Sequence, residues 1–297
     1  MEVIFLGTGS MVPTRERNHS GYLILHNEES ILVDCGEGTQ RQLRFAGISP
    51  TKITRILITH WHGDHVLGLP GLLQSMMANE YHGTVNIYCP EGTGQFFERM
   101  WNSFAIQKGS MEIKLHEIKE RHFLKASDLS IESLPMKHST KCNAYSFKQE
   151  DKRKINLDYL KKFGLVKDPI LKDLQRGKDI KWKGQLIKAS DATFLKEGKK
   201  LTLVTDTMAN DNIVELARYS DVFICEATFS KSMEEKAKEH MHMTSAQAAE
   251  LAKKANVKKL ILTHFSQRYK SVNDHKKEAS KIFKNVVCAK DLMRITV

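Results

Sequence analysis

Short apolar runs recur along the chain, each closed by glycine or polar residues and many followed by a helical pattern. Val3–Leu6, Tyr22–Leu25, Ile31–Val33, Ile56–Ile58, Val85–Tyr88, Leu201–Val204, Val222–Ile224 and Leu260–Leu262 are apolar at consecutive positions and too short for helices. They predict strands covered on both faces. Between them, helical periodicity runs over Gly38–Ala46, Gly71–Met77, Gly94–Phe104, Ile213–Arg218, Ala246–Ala255 and His275–Phe283. Thr244 and Gln247 form a T-x-x-Q capping box ahead of the Ala246 pattern, a local start signal. This alternation predicts an α/β layered fold in which helices cover central sheets.

One stretch breaks the rhythm. Lys148–Lys188 holds 13 basic and 6 acidic residues, has few apolar ones for its length, and lies between two core strands. It predicts a basic insertion, residues 148–188, projecting from one large domain over residues 1–297. The alternative is a solvated surface helix pair with no partner.

Composition narrows the class further. A chain of 297 residues, 41% apolar, can bury a full core. Its net charge of +11 favours an anionic partner such as nucleic acid, nucleotide or a membrane surface, although a lysine-rich composition alone would give the same number. Cys35, Cys89, Cys142, Cys225 and Cys288 are widely spaced, odd in number and form no C-x-x-C pair. Neither a disulfide framework nor a cysteine zinc site is expected, and the thiols are expected in the core. No apolar run approaches the roughly 20 residues that span a bilayer. The opening Met1-Glu2-Val3-Ile4-Phe5-Leu6 lacks the basic start of a secretory signal, so a cytoplasmic protein is expected.

Chemistry concentrates at His60-Trp61-His62-Gly63-Asp64-His65. The run follows Ile56-Leu57-Ile58-Thr59 directly, so it lies at the C-terminal end of a strand, where α/β folds place their sites. Histidines at alternate positions of an extended turn can hold one cation, and Asp64-His65 can face a second. Imidazole and carboxylate without thiolate suit Zn²⁺, with Mn²⁺ or Fe as alternatives. Two metals need more ligands. His138 follows Ile131–Lys137, Asp206 follows Leu201–Val204, and His264 follows Leu260–Thr263. Each is a good ligand type at a strand end, so all can converge on one edge of the sheets.

The order H-x-H-x-D-H, then His, Asp and His, resembles the signature of the metallo-β-lactamase superfamily over essentially the whole chain. The resemblance implies a four-layer αβ/βα sandwich. It also implies that His60, His62 and His138 hold a first metal, that Asp64, His65 and His264 hold a second, and that Asp206 bridges both. Three further features resemble the ribonuclease Z family. Phe5-Leu6-Gly7-Thr8-Gly9-Ser10 with Pro13-Thr14-Arg15-Glu16-Arg17-Asn18 is similar to its first loop, with the P-T-x-x-R-N motif. Glu226-Ala227-Thr228-Phe229 with His242-Met243-Thr244 is similar to its Glu and His pair, and His264-Phe265-Ser266-Gln267-Arg268-Tyr269 to its last metal histidine followed by a phosphate-binding arginine. The basic insertion stands where that family carries a tRNA-gripping arm. In place of the usual Gly-Pro-rich tip, this chain has Gly164-Leu165-Val166-Lys167-Asp168-Pro169.

The resemblance implies an endonuclease that trims the 3′ trailer of precursor tRNA with two Zn²⁺ ions per subunit, acting as a homodimer in which one subunit's arm serves the other's site. Asp64 would accept the proton of the attacking water, and His242, oriented by Glu226, would protonate the departing 3′ oxygen. Arg268 would stabilise the non-bridging oxygens. His240 is a second candidate in Glu239-His240-Met241-His242, but His242 stands just before the capping box, as the family's histidine does. Within the same fold the rival is a small-molecule phosphodiesterase or another nucleic-acid hydrolase. A lactamase or thioester hydrolase leaves the Glu226–His242 pair and the basic insertion without a task. From a different class, the rival is a metal-containing RNA-binding protein without catalysis.

Overall fold

In the strand Glu2–Gly7 every residue after the first is buried, and alternate side chains enter different cores. Val3 and Phe5 join a cluster with Tyr22, Ile24, Ile31 and Val33 on one side and Tyr145, Leu201, Leu203, Ile224 and Ile261 on the other. Ile4 and Leu6 face the opposite way, into a cluster with Leu43, Leu69, Leu72, Leu73, Met76 and Phe97. The first cluster is the space between two sheets and the second lies under helices. Consecutive apolar residues in such a strand are therefore all used, each buried side chain contributing about 1.5–3 kcal/mol. The computed structural model describes residues 1–105 and 111–297.

The first seven-stranded sheet runs Arg294–Thr296, Glu2–Gly7, Gly21–His26, Glu29–Val33, Arg55–Leu57, Thr84–Pro90, Glu112–Ile118. The second, also of seven strands, runs Val286–Cys288, Leu260–Thr263, Val222–Glu226, Lys200–Val204, Cys142–Gln149, Leu129–Met136, His122–Ala126. The helices Thr39–Phe45, Leu69–Ala78 and Gly94–Trp101 supply the outer core of the first sheet. Asp211–Ala217, Ser245–Lys254 and Asn273–Ile282 do so for the second, over Phe223, Cys225, Leu260 and Leu262. The result is helix, sheet, sheet, helix: the four-layer sandwich that the resemblance implies.

Both sheets have parallel centres. Glu29–Val33, Arg55–Leu57 and Thr84–Pro90 run parallel, as do Lys200–Val204, Val222–Glu226 and Leu260–Thr263. Parallel strands finish at the same edge, so the residues just beyond them are brought together. The capping box forms as predicted, with Thr244 Oγ1 accepting the Gln247 N–H and the Gln247 side chain accepting the Thr244 N–H at 2.9 Å. Two glycines let the loops at this edge touch. A Cβ on Gly36 would collide with the Asp64 carbonyl and the His19 Cβ, and one on Gly68 with the Gly36 carbonyl. These contacts seat the loop after Val33 on the short helix Gly63–Val66.

Residues Lys148–Lys199 form a compact unit of their own, distinct from the unit of Met1–Phe147 and Lys200–Val297. The expected insertion ends at Lys188, but the unit continues because Lys152–Ile155 pairs antiparallel with Thr193–Lys196. It is also less polar in effect than its composition suggests. Leu160, Leu165, Leu174, Ile180, Ile187, Ala189 and Ala192 bury themselves in a small core within it. All five thiols are free; four are buried and Cys288 is half-buried. Among the described residues no helix is long and apolar enough to cross a membrane.

Candidate metal centre

At the shared strand edge, each candidate ligand lies just beyond a strand or on the short helix that follows one. His60 and His62 follow Arg55–Leu57, and His62 stands at the N-terminus of the helix Gly63–Val66, which carries Asp64 and His65 in its first turn. His138 follows Leu129–Met136, Asp206 follows Lys200–Val204, and His264 follows Leu260–Thr263. The ligand atoms of His60, His62, His138 and Asp206 all lie within 4.8 Å of one another, and so do those of Asp64, His65, Asp206 and His264. The seven residues singled out in the sequence are thus gathered into two groups that share Asp206.

Asp206 divides its oxygens between them. Oδ2 lies 3.6 Å from His60 Nε2 and 3.9 Å from His138 Nε2. Oδ1 lies 3.4 Å from His65 Nε2 and 3.1 Å from His264 Nε2. In the first group, ring nitrogens point at one another: His62 Nδ1 is 3.1 Å from His60 Nε2 and 3.2 Å from His138 Nε2. In the second, Asp64 Oδ2 sits 3.4 Å from His65 Nε2 and 3.3 Å from His264 Nε2. The backbone N–H of Met11 also donates to this oxygen, at 2.8 Å.

The far side of each ring fixes its tautomer. His65 Nδ1 donates to Asp34 Oδ2 at 2.7 Å, and His138 Nδ1 donates to the Met241 carbonyl at 3.2 Å. The Thr228 hydroxyl donates to Glu226 Oε2 at 2.6 Å, so it can accept from His264 Nδ1 at 3.0 Å. In all three, Nε2 is left with its lone pair turned inward, as a metal ligand requires. Asp34 is in turn held by the amide and hydroxyl of Thr59, both at 2.8 Å. Asp34, Thr59 and Thr228 were not among the residues picked from the sequence. A carboxylate that ends the apolar run Ile31–Val33 was the available signal for Asp34.

Backbone strain collects here as well. Asp34, His264, Met11 and Met241 all adopt a left-handed backbone, with φ of 57–58°. Non-glycine residues enter that region at a cost and keep it where the surroundings insist.

Electrostatics divides the two groups. Burial holds His60 well below the ordinary histidine value and lowers His62 and His138 too, so these rings are neutral donors. In the second group burial is overridden. The Asp206, Asp64 and Asp34 carboxylates raise His65 well above its ordinary value. Burial would raise Asp64 and Asp206, yet the surrounding imidazoles hold both well below the usual carboxylate range. Positive charge is demanded between these carboxylates. His65 Nε2 and Asp206 Oδ1 are buried without a hydrogen-bond partner. Inward-facing ring nitrogens without thiolate in both groups, with unpaired buried atoms and paired carboxylates in the second, fit a cation in each group.

Beside the two groups, His242 Nδ1 donates to Glu226 Oε1 at 3.0 Å, and its Nε2 lies 3.9 Å from Asp206 Oδ2. Burial opposes the charged ring, but the Glu226 and Asp206 carboxylates push it up to about 9. His240 is exposed and stacks on Phe229 at 6.1 Å between centroids, so it lines the cleft without reaching the ligands. Arg268 lies over the other aromatic contact, 5.3 Å from the Phe229 centroid, with its Nε donating to Ser266 Oγ at 3.0 Å. His62, Asp64, His138, Asp206, His242 and Arg268 line one cleft of about 460 Å³.

The first loop has its own anchor. Asp291 accepts from the Thr8 hydroxyl and the Asn18 N–H, both at 2.7 Å, and from Gln42 Nε2 at 3.0 Å. These bonds tie both ends of the loop that carries Met11 to Asp64.

The sequence profile of the family described as "Anti-Pycsar protein Apyc1" matches residues 1–170, and that of "Beta-lactamase superfamily domain" matches residues 176–265. Ribonuclease Z of Nocardia farcinica is 37% identical over 297 residues, covering 99% of this chain and 97% of the relative. The ribonuclease Z of Pyrococcus horikoshii is 38% identical, covering 100% of this chain and 96% of the relative. The chain belongs to the ribonuclease Z family. A crystal structure of human tRNase Z, short form, agrees at a TM-score of 0.72 with 26% identity, covering 100% of this chain and 99% of that one. Family membership and the donor groups on the sheet edge together make the chain a metal-dependent phosphodiester hydrolase of the metallo-β-lactamase fold.

Proposed function

We propose that this chain is the endoribonuclease that removes the 3′ trailer of precursor tRNA, leaving a 3′ hydroxyl on the tRNA and a 5′ phosphate on the trailer. The observation that carries the reading is the pair of donor groups joined through Asp206, with the His242–Glu226 pair beside them in one cleft. His60, His62 and His138 would hold one cation, Asp64, His65 and His264 the other, and Asp206 both. Zn²⁺ suits the imidazole and carboxylate set best, with Mn²⁺ or Fe as alternatives. When bound, the two ions supply a water that is acidic enough to attack at neutral pH and offset the charge of the phosphodiester.

The chain's own groups account for the remaining steps. Asp64 takes the proton from the attacking water. His242 keeps Nδ1–H on Glu226, so the proton it can deliver is the one on Nε2, the nitrogen turned toward the cleft. That proton goes to the departing 3′ oxygen. Arg268, held over Phe229, offers its planar donors to the non-bridging oxygens. The basic unit Lys148–Lys199 would grip the tRNA away from the cut, and a homodimer would let one subunit's unit serve its partner's site. The reading places the protein in the cytoplasm, with precursor tRNA.

Incubation with a trailer-bearing precursor tRNA, with both ends of the cut mapped, tests the reading directly. A single cut leaving a 3′ hydroxyl supports it. Hydrolysis of bis-p-nitrophenyl phosphate without cleavage of the precursor would instead favour a small-ester phosphodiesterase. RNA binding with neither activity would favour a non-catalytic binder. Trimming the basic unit should weaken action on whole tRNA and spare the small ester; equal losses on both would make that unit structural.

A further inference from the structure

The helix Asn273–Ile282 separates its charges by side. His275 and Ala279 are buried, and Ile282 packs on the core of the second sheet. Its one glutamate turns inward as well: Glu278 Oε2 accepts the Ser245 hydroxyl at 2.6 Å and the Lys231 N–H at 2.8 Å. The outer side presents Asn273, Lys276, Lys277, Ser280 and Lys281, continued by Lys284 just past the helix end. All four lysines are exposed. Among the described residues, the one carboxylate within ion-pair distance of any of them is Asp274, 3.9 Å from Lys277. Lys277 and Lys281 are spaced i,i+4, where like charges repel and weaken a helix. A free helix gains nothing from such a face, whereas a polyanion laid along it would relieve the repulsion.

The place of this helix in the chain suggests which polyanion. It is entered from the loop that follows His264 and carries Arg268 into the cleft. The lysine row therefore begins eight residues after the proposed phosphate-binding arginine. Lysine is a point charge with little directional demand, suited to phosphates of any sequence. We infer that this lysine face is a second docking surface for the RNA phosphate backbone, built from residues outside the basic unit Lys148–Lys199. The inference rests on the tRNA reading above, since it needs an RNA longer than the cleft.

The test uses the full-length, metal-loaded protein carrying Lys277→Gln, Lys281→Gln and Lys284→Gln together, beside the three Lys→Arg changes. Precursor tRNA cleavage and bis-p-nitrophenyl phosphate hydrolysis are measured across a salt series. The Gln variant should raise KM for the precursor on the order of 10-fold. It should also flatten the plot of log(kcat/KM) against log[salt] by about 2–3, the effect of losing three phosphate contacts. The small ester should be hydrolysed as by the parent, and the Arg variant should behave as the parent on both substrates. An unchanged KM and salt slope would overturn the inference. So would a parallel loss on the small ester, which would mean the changes act through the site. If the parent protein itself leaves precursor tRNA uncut, the tRNA reading fails, an outcome separate from any difference between parent and variant.

Discussion

The two donor groups share Asp206 and one strand edge, yet they are built on opposite principles. The first sets three histidines against one carboxylate, and burial keeps those rings uncharged. His62 is half-buried, and that group opens on the cleft beside His138 and His242. The second is buried on every member and pairs two carboxylates with two histidines, with a third carboxylate, Asp34, behind His65. A neutral, open group can exchange its cation and meet a substrate. A closed group rich in negative charge holds its cation more tightly and is costly to leave without one, because buried carboxylates need a counter-charge. The two groups therefore differ in exposure and charge: the second is buried and rich in carboxylate, and the first is richer in neutral imidazole and more open to the cleft.

The comparison breaks most completely at the shared residue. Asp206→Ala should strip metal from both groups and drop activity to background, read by metal analysis and turnover on bis-p-nitrophenyl phosphate. Should one equivalent of metal stay bound at full affinity, Asp206 is not the bridge. His62→Ala should also abolish nearly all activity, but with about half the metal retained, since only the open group loses a ligand. Loss of both ions would mean that the groups do not fill independently. His242→Ala should keep the full metal content and lose on the order of 10²–10⁴ in kcat. An unchanged rate there would move the leaving-group proton to His240 or to solvent. Asp34→Asn is the smallest and sharpest change. It leaves every ligand in place and weakens the carboxylate that receives both His65 Nδ1 and Thr59, so metal affinity of the closed group should fall on the order of 10–100-fold. Titration with a chelator would show whether that loss is confined to one of two ions.

Much of the fold could be read from short stretches. The strand Leu260–Thr263 extends the apolar run Leu260–Leu262 by one residue, and the helix Leu69–Ala78 brackets the predicted Gly71–Met77. Runs of this kind are legible because strands covered on both faces need apolar residues at every position. The strand Cys142–Gln149 was not legible in that way, although it lies near the middle of the second sheet. Asn143 and Ser146 are buried within it and interrupt the apolar pattern. Ser146 is tolerated because the Thr202 hydroxyl on a neighbouring strand donates to it at 3.1 Å. The small core of the basic unit was hidden for the converse reason. Its leucines and isoleucines are spread among lysines, and only folding collects them into a core.

By itself the sequence pointed to the side chains that gather at the sheet edge. His60 to His65 lie in one short turn, and His138, Asp206 and His264 each end a strand, so ligand identity is a local property that spacing reveals. Tertiary structure decided how those side chains are aimed. The Asp34–His65 pair spans 31 residues and the Thr228–His264 pair 36, while the Asp291–Thr8 bond spans 283. The left-handed turns at Asp34 and His264 likewise exist only because the packed edge enforces them. A ligand's type is written in its own residue, but its tautomer, charge and direction are set by neighbours that only the closed sandwich brings within reach.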